Sequence, residues 1–209
     1  MLKNELPLLM LAMFSILCIQ DANAQRRFKA GLILGLNASQ ILGDDAGGYN
    51  KLGLQGGLRG TAILKDKMDL SMELLYSQRG SYQKEGSPVC NNGSLKINLQ
   101  YVEVPVVISY KDWLDEEEGY YKVQASIGLA YSRLLKATAN GSCHDDLVDT
   151  FNSDDFGFTV GADYFTSKNL SFGVRWSKSF NFLYNKDKHD PGRNSLRGFF
   201  LSFRSAYIF

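Results

Sequence analysis

The sequence contains few of the residues that interrupt or cross-link a fold. It has four prolines and three cysteines in 209 residues. Proline withholds a backbone donor, so its scarcity leaves long stretches free to form continuous strand ladders. Lysine and arginine number 23 against 22 aspartates and glutamates, a balance that argues against a nucleic-acid partner. The only histidines are His144 and His189, which leaves little material for a metal or acid–base site.

The first residues have the features of an export signal. Lys3 precedes an apolar run over 8–19, and residues 22–24, Ala-Asn-Ala, form a small-x-small cleavage site before Gln25. The run is shorter than the about 20 residues that a membrane helix requires. We therefore expect residues 1–24 to be a cleaved signal peptide.

The mature chain, 25–209, is long enough for one sizeable domain. A lipoprotein signal at Cys18 is the alternative, although Leu17 is larger than the residue that such a signal places before its cysteine. Cleavage after residue 24 leaves Cys90 and Cys143, both in polar stretches of a chain that leaves the reducing cytoplasm. We expect them to form a disulfide, with two free thiols as the alternative.

Eight segments alternate apolar and polar residues with the period of two that strands require. In the clearest segment, Tyr121, Val123 and Ile127 alternate with small and polar residues. No segment with helical period lies between them, so the pattern predicts an all-β antiparallel meander. The segments cover 26–37, 53–64, 68–80, 99–110, 119–135, 155–166, 168–182 and 198–209.

The connections between these segments also alternate. The connections KDK, KDWLDEEE and TSK are short, whereas SQILGDDAGGYNK, SYQKEGSPVCNNGS, ATANGSCHDDLVDTFNSD and NKDKHDPGRN are long and polar. Short turns on one side and long loops on the other are typical of an outer-membrane barrel. The fold predicted is an eight-stranded antiparallel up-and-down transmembrane β-barrel, with both mature cysteines on the long-loop side.

The polar faces of the segments favour a membrane barrel over a soluble one. A soluble carrier of the lipocalin kind has its apolar face inside, whereas a membrane barrel turns that face to lipid. Here the polar face is mostly glycine and serine, which are too small to coat a soluble surface. Its charged residues are expected to pair across the narrow interior: they are Lys29, Arg59, Glu73, Arg79, Glu103, Lys122, Asp163, Arg175 and Arg204.

Three local features refine this prediction. The fourth segment changes phase, so we expect a bulge near Tyr101–Glu103 that keeps one face apolar.

Aromatic residues near the segment ends are expected to form interfacial girdles: Tyr76, Tyr101, Tyr110, Tyr121, Tyr131, Tyr164, Trp176, Phe203 and Tyr207. The last segment ends on alternating aromatics, which predicts both barrel closure and a signal for the barrel-assembly machinery, carried by Phe203, Tyr207 and Phe209.

Several of these stretches together resemble a known family. They are the glycine-rich first segment GLILGLNAS, the ending LLYSQRG of the third segment, the fourth segment LQYVEVPVVISY and the aromatic C-terminus. The sequence is similar to the PorT-like outer-membrane β-barrel family of Bacteroidetes. Its most specific pieces are Tyr101-x-Glu103-x-Pro105 and Gln78-Arg79-Gly80. The resemblance implies an outer-membrane location and a barrel fold. It implies no particular activity, and the family name derives from a link to protein secretion.

No catalytic, cofactor or metal site is predicted. Ser142, His144 and Asp145 lie too close in sequence to give the usual geometry of a catalytic triad. The acidic pairs Asp44-Asp45, Asp145-Asp146 and Asp154-Asp155 match no calcium-loop spacing, and loop solvation explains them better than divalent bridges to lipopolysaccharide.

We therefore expect a non-enzymatic integral outer-membrane protein whose long loops dock a partner. The expected contacts are outer-membrane lipid and lipopolysaccharide, the assembly machinery during biogenesis, and an envelope or secretion protein. A small-solute channel is the alternative function, although eight strands leave little lumen.

Overall fold

The structure, a computed structural model, describes residues 27–44, 48–83, 95–141, 145–185 and 194–209. The predicted signal peptide, Cys90, Cys143 and both histidines lie outside these ranges. Within them, no helix has the length and apolar character needed to cross a bilayer. A short 3₁₀ helix, Asp145–Thr150, accompanies eight strands. The strands are β1 (Phe28–Leu42), β2 (Lys51–Lys65), β3 (Met68–Gln83), β4 (Leu95–Asp115), β5 (Tyr120–Gly141), β6 (Asp154–Phe165), β7 (Leu170–Ser179) and β8 (Arg197–Ile208).

The strands form one closed barrel. Each strand pairs antiparallel with its sequence neighbours, and β8 pairs back with β1 from Gly31↔Ile208 to Leu42↔Arg197. The final residue, Phe209, donates its backbone N–H to the carbonyl of Ala30. Closure pairs the backbone groups that an open sheet would leave exposed at its edges. The prediction of an eight-stranded antiparallel up-and-down barrel is confirmed.

The two faces of each strand differ sharply in burial. In β3, Ser71, Glu73 and Ser77 are almost fully buried inside the barrel. Between them, Met72 and Leu74 are more than half exposed on the outside. A band of exposed leucine, isoleucine, valine and phenylalanine residues on the barrel exterior matches the hydrocarbon of a bilayer. The apolar face therefore points outward, as the glycine- and serine-rich polar face predicts.

The strands β4 and β5 are far longer than a bilayer requires. They contain 21 and 22 residues, whereas a tilted membrane strand needs about 9–11. Both strands extend beyond the predicted segments toward the long-loop side, which is extracellular in outer-membrane barrels. The connection KDWLDEEE is shorter than predicted, because Lys111–Asp115 continue β4 and only four residues, 116–119, form the turn.

The predicted place of the bulge, within β4, is wrong. Alternate residues of β4 stay on the same face throughout, with Leu99, Tyr101, Glu103 and Val107 all buried inside. The register shift occurs between β4 and β5: Gln100 pairs with Lys136 while Tyr101 pairs with Leu134. The extra residue therefore belongs to β5. The change of phase in the β4 sequence reflects a change in what fills the interior, not a break in the strand.

Both faces of the barrel reverse polarity at the level of this bulge. Below it, the outside of β5 presents Ile127, Leu129 and Tyr131, followed by Arg133 just before the bulge. Leu135 is the exposed extra residue of the bulge, and Lys136 lies on the outside above it. On the inside of β4, buried Glu103 gives way to buried apolar residues above the same level. The upper part of the barrel thus follows the rule for proteins in water, with apolar side chains inside. The lower part follows the rule for the bilayer.

Close packing of β2 on β3 depends on a glycine inside the barrel. A Cβ atom placed on Gly57 would lie 2.0 Å from the carbonyl oxygen of Leu74, far inside van der Waals contact. Gly60 lies on the outside of the same strand, where an added Cβ would meet nothing nearer than 4.0 Å. These two glycines provide a matched pair of sites in one strand.

We predict that Gly57→Ala lowers the free energy of unfolding by about 1–3 kcal/mol, because β2 must move away from β3 to admit the methyl group. Gly60→Ala is expected to leave stability unchanged. Urea unfolding in lipid vesicles, followed by heat-modifiable gel migration, measures both variants. Equal stability of the two variants would contradict this packing.

Candidate functional site: the charged interior and the extracellular end

The lower half of the interior is organised around one carboxylate. Glu73, which β3 points into the barrel, is 1 % exposed. Arg59 of β2 donates to it from Nε at 3.0 Å and approaches it with a second guanidinium nitrogen at 2.8 Å. Arg175 of β7 donates from Nη1 at 2.6 Å, and Arg204 of β8 from Nη1 at 3.2 Å. Three strands are thereby tied to β3 across the barrel.

A second carboxylate completes this group, which we call the Glu73 cluster. Asp163 of β6 accepts from Arg204 at 3.3 Å. Space for it comes from Gly173 on the neighbouring strand, because a Cβ there would lie 2.0 Å from the Asp163 carboxylate oxygen. The Glu73 cluster contains Arg59, Glu73, Asp163, Arg175 and Arg204, so three cations face two anions. Such charges are tolerated in a narrow interior because they are paired and hydrogen-bonded.

A second group, the Arg79 cluster, lies closer to the extracellular end. The guanidinium of Arg79 forms ion pairs with Glu103 of β4 and, at 3.2 Å, with Asp155 of β6. The Phe200 and Tyr101 rings flank it, with their centroids 3.9 and 4.8 Å from the guanidinium carbon. Here one cation meets two anions, so the Arg79 cluster offsets the excess positive charge of the Glu73 cluster.

The two sequence motifs noted above meet in the Arg79 cluster. Arg79 contacts both Tyr101 and Glu103, so the ending Gln78-Arg79-Gly80 packs against Tyr101-x-Glu103-x-Pro105. Gly80 allows the strands to approach, because a Cβ there would lie 1.9 Å from the carbonyl oxygen of Ile97. Its N–H donates to Ser39 Oγ at 2.9 Å.

Side chains also fill the space between the two clusters. Ile33, Leu75 and Ala206 form a small buried apolar group there. Asn37 links β1 to two other strands, because it donates to Ser77 Oγ at 3.0 Å and accepts from Ser202 Oγ at 2.7 Å. The middle of the barrel is therefore packed with side chains.

The predicted interior residues are placed as follows. Arg59, Glu73, Asp163, Arg175 and Arg204 come together in one cluster, and Arg79 and Glu103 in the other. Two predicted residues lie elsewhere, near the short turns. Lys122 pairs with Asp115 at 2.8 Å. Lys29 is exposed at the mouth of the barrel and forms no ion pair with any residue that the structure describes.

Asp155 is an interior residue that the sequence interpretation missed. The sequence pattern predicts that Asp154 and Asp155 form a solvated acidic pair. The structure separates them: Asp155 points inward to Arg79, whereas Asp154 points outward to Arg133 at 2.7 Å. Extending the period of two in β6 back by one step, from Gly157 to Asp155, would have found it.

The extracellular end of the barrel has its own apolar core, which we call the apolar cap. The cap lies above the Arg79 cluster and includes residues of the β5–β6 and β7–β8 connections as well as strand residues. Its buried members are Ile41, Ile97, Leu99, Tyr101, Phe151, Leu183, Tyr184 and Leu196. Because Tyr101 is 3 % exposed, its predicted place in an interfacial girdle is wrong. The cap closes the extracellular mouth and stiffens the strands that rise above the bilayer.

The remaining predicted girdle residues either lie on the outside of the barrel or are partly exposed. Phe203 and Tyr207 are about half exposed on the outer face of β8. The Phe209 ring packs edge-on against Tyr207, with centroids 5.5 Å apart. Near the extracellular boundary, Trp176 donates to the Tyr49 hydroxyl at 3.2 Å. Amphipathic rings at these heights suit a membrane interface.

For the cysteines, the structure describes only the flanking ladder positions. Leu95 begins β4 after the loop that contains Cys90, and it pairs with Gly141, two residues before Cys143. The two loops therefore leave adjacent positions of the sheet. The disulfide stays a prediction.

An outward apolar band, a charged and packed interior and a closed antiparallel sheet define an integral outer-membrane β-barrel protein. The model of the outer membrane protein beta-barrel domain family matches residues 20–185. The chain belongs to this family, and its predicted location in the outer membrane is confirmed. None of the curated proteins matches the chain in sequence.

Several solved structures are similar in fold. The attachment invasion locus protein Ail of Yersinia pestis has 10% identity and a TM-score of 0.45, over 88% of this chain and 99% of that one. The Neisserial surface protein A has 12% identity and a TM-score of 0.47, over 86% and 96%. Outer Membrane Protein W of E. coli has 13% identity and a TM-score of 0.42, over 88% and 98%.

We predict that Glu73→Gln lowers the free energy of unfolding by about 3–5 kcal/mol, because it leaves three buried guanidinium groups with one carboxylate. Glu117→Gln, in the exposed β4–β5 turn, is the matched control and should unfold like the unmodified chain. Urea titration in lipid vesicles measures both. If Glu73→Gln unfolds at the control's midpoint, the cluster does not hold the barrel together.

Proposed function

We propose that the protein is a non-enzymatic outer-membrane barrel, closed to solute flow, whose rigid extracellular end docks a partner at the cell surface. The observation that carries this proposal is the combination of a packed interior with strands that rise well above the bilayer. The Glu73 and Arg79 clusters and the apolar cap occupy successive levels of one barrel. A barrel with a closed lumen and a long extracellular end is suited to holding its loops in fixed positions for a binding partner.

The interior chemistry supports a structural role over a catalytic one. Every carboxylate of the two clusters accepts hydrogen bonds from an arginine, so none is left to act as a general base. Within the described residues, no group of three or more histidine, cysteine, aspartate or glutamate side chains is arranged to hold a metal ion.

The extracellular end supports docking. The exposed outer surfaces of β4 and β5 above the bilayer present Lys96 and Lys136, while the apolar cap beneath them keeps the strands rigid. A rigid scaffold that carries variable loops is a common arrangement for recognition. The partner we propose is an envelope or secretion protein, so that docking serves envelope integrity or protein export. The ring of Tyr131 and the charge of Arg133 suit contact with lipopolysaccharide at the boundary.

Two narrower proposals follow from particular residues. The contact of Arg79 with Tyr101 and Glu103 gives the motif pieces of the PorT-like family a shared structural role, which supports assignment to that branch. At the C-terminus, Phe203 and Tyr207 lie on the outer face of β8, and Phe209 is exposed directly after it. We propose that they are read together by the barrel-assembly machinery before closure.

We predict no reproducible conductance from the purified mature chain in planar bilayers. The clusters and the apolar cap leave no continuous path for hydrated ions. The triple variant Glu73→Ala, Arg175→Ala and Arg204→Ala is the comparison, because it removes three buried side chains that meet across the interior. A stable open state of the unmodified chain would favour the alternative function, a small-solute channel.

We predict that a photo-reactive residue at Lys96 or Lys136 cross-links to one discrete protein in native outer membranes. Ile108 provides the control in the same sheet, because it lies in the lipid-facing band and is about half exposed there. Absence of a discrete product, or the same product from Ile108, would contradict docking at the extracellular end.

A further inference from the structure

A polar cavity opens at the end of the barrel opposite the apolar cap. It has a volume of about 410 Å³, within the about 300–1,000 Å³ typical of small-molecule sites. Asp66, Gly119 and Lys168 from the three short turns line its mouth. Because short turns face the periplasm in outer-membrane barrels, the cavity opens to the periplasm.

The inner wall of the cavity ends at the Glu73 cluster. Arg59 lines the cavity and is held by Glu73, and both side chains are almost fully buried. Beyond them the interior is packed with side chains. The cavity is therefore a dead end, reached only from the periplasm.

The charges around the cavity are unbalanced. Four cationic side chains line it, namely Lys29, Arg59, Lys111 and Lys168, against the carboxylates of Asp66 and Asp69. Lys111 neutralises Asp69 through an ion pair of 2.9 Å. Among the described residues, Lys29 and Lys168 have no ion-pair partner. Because Glu73 likewise pairs with Arg59, the remaining charges are those of Lys29 and Lys168 against Asp66. This excess of one positive charge favours an anion over a cation.

A buried amide also lines the cavity. Gln124 of β5 is 5 % exposed, and its side chain makes no hydrogen bond with any group in the described parts of the chain. Its amide atoms are reached from the open space of the cavity, where water or a ligand can bond to them. Gln124 lies among the buried Arg59, Thr61 and Ser71, so it offers donors and an acceptor deep in the site.

We propose that this cavity is a periplasmic binding site for a small anionic solute that bears a phosphate or carboxylate group. Lys29 and Lys168 attract the anion at the mouth, and Gln124 donates to it within. The site is separate from the extracellular docking surface, so it can fail while the proposed function stands.

Nuclear magnetic resonance of the full mature chain in lipid nanodiscs tests the proposal, because nanodiscs leave both ends open. Glutamine-selective ¹⁵N labelling reports the Gln124 side-chain amide, assigned with Gln124→Leu. Inorganic phosphate, succinate and choline are added in turn. We expect saturable shifts of the Gln124 amide with phosphate, succinate or both, weakened by added salt. The anion that binds identifies the phosphate or carboxylate class, and choline should cause no shift.

The double variant Lys29→Ala, Lys168→Ala should weaken anion binding about tenfold or more. Lys65→Ala is the matched control, because Lys65 is exposed at the same end but does not line the cavity. The proposal is overturned if neither anion gives a saturable shift, if choline binds equally well, or if Lys65→Ala weakens binding as much as the double variant.

Discussion

The ionised contact between Glu73 and three arginines is the interaction on which the rest of this barrel depends. An eight-stranded barrel encloses a space that is only wide enough for side chains. A charged side chain that points inward must therefore pair with an inward-pointing side chain of another strand. Arg59, Arg175 and Arg204 come from three strands and meet Glu73 from a fourth. The contact thereby fixes the separation of strands that are not neighbours, closes the lumen and forms the floor of the periplasmic cavity.

One rule explains both halves of the molecule: apolar atoms avoid water, and buried polar atoms find partners. Within the bilayer this rule turns leucine and phenylalanine outward and pairs charges inside. Above the bilayer it places Ile97, Leu99 and Tyr101 inside and charged residues outside. The bulge opposite Gln100 and Tyr101 lies where the two regimes meet, and it lets β5 change which residues face inward.

The strands, most of their faces and most of the interior charges could be predicted from the sequence. The reason is that residues two apart in a strand share a face. The sequence did not reveal height along the barrel axis. Tyr101 illustrates this, because its apolar character predicts the outer face and its level above the bilayer places it inside. Lys29 has the predicted inward spacing, but it lies at the mouth, away from both clusters. Asp155 and the apolar cap were missed because they depend on strand lengths and on register between distant strands, which follow from closure.

The central claim is that the barrel turns its apolar face to lipid around a paired charged interior, and its most direct test is the accessibility of spin labels along the outer face of β4. Single labels at Lys96, Val106 and Ile108, with Cys90 and Cys143 replaced by serine, report contact with lipid-soluble oxygen and water-soluble nickel chelate in bilayers. We expect high oxygen and low nickel accessibility at Val106 and Ile108, and the reverse at Lys96. Free access of nickel to Val106 and Ile108 would contradict it.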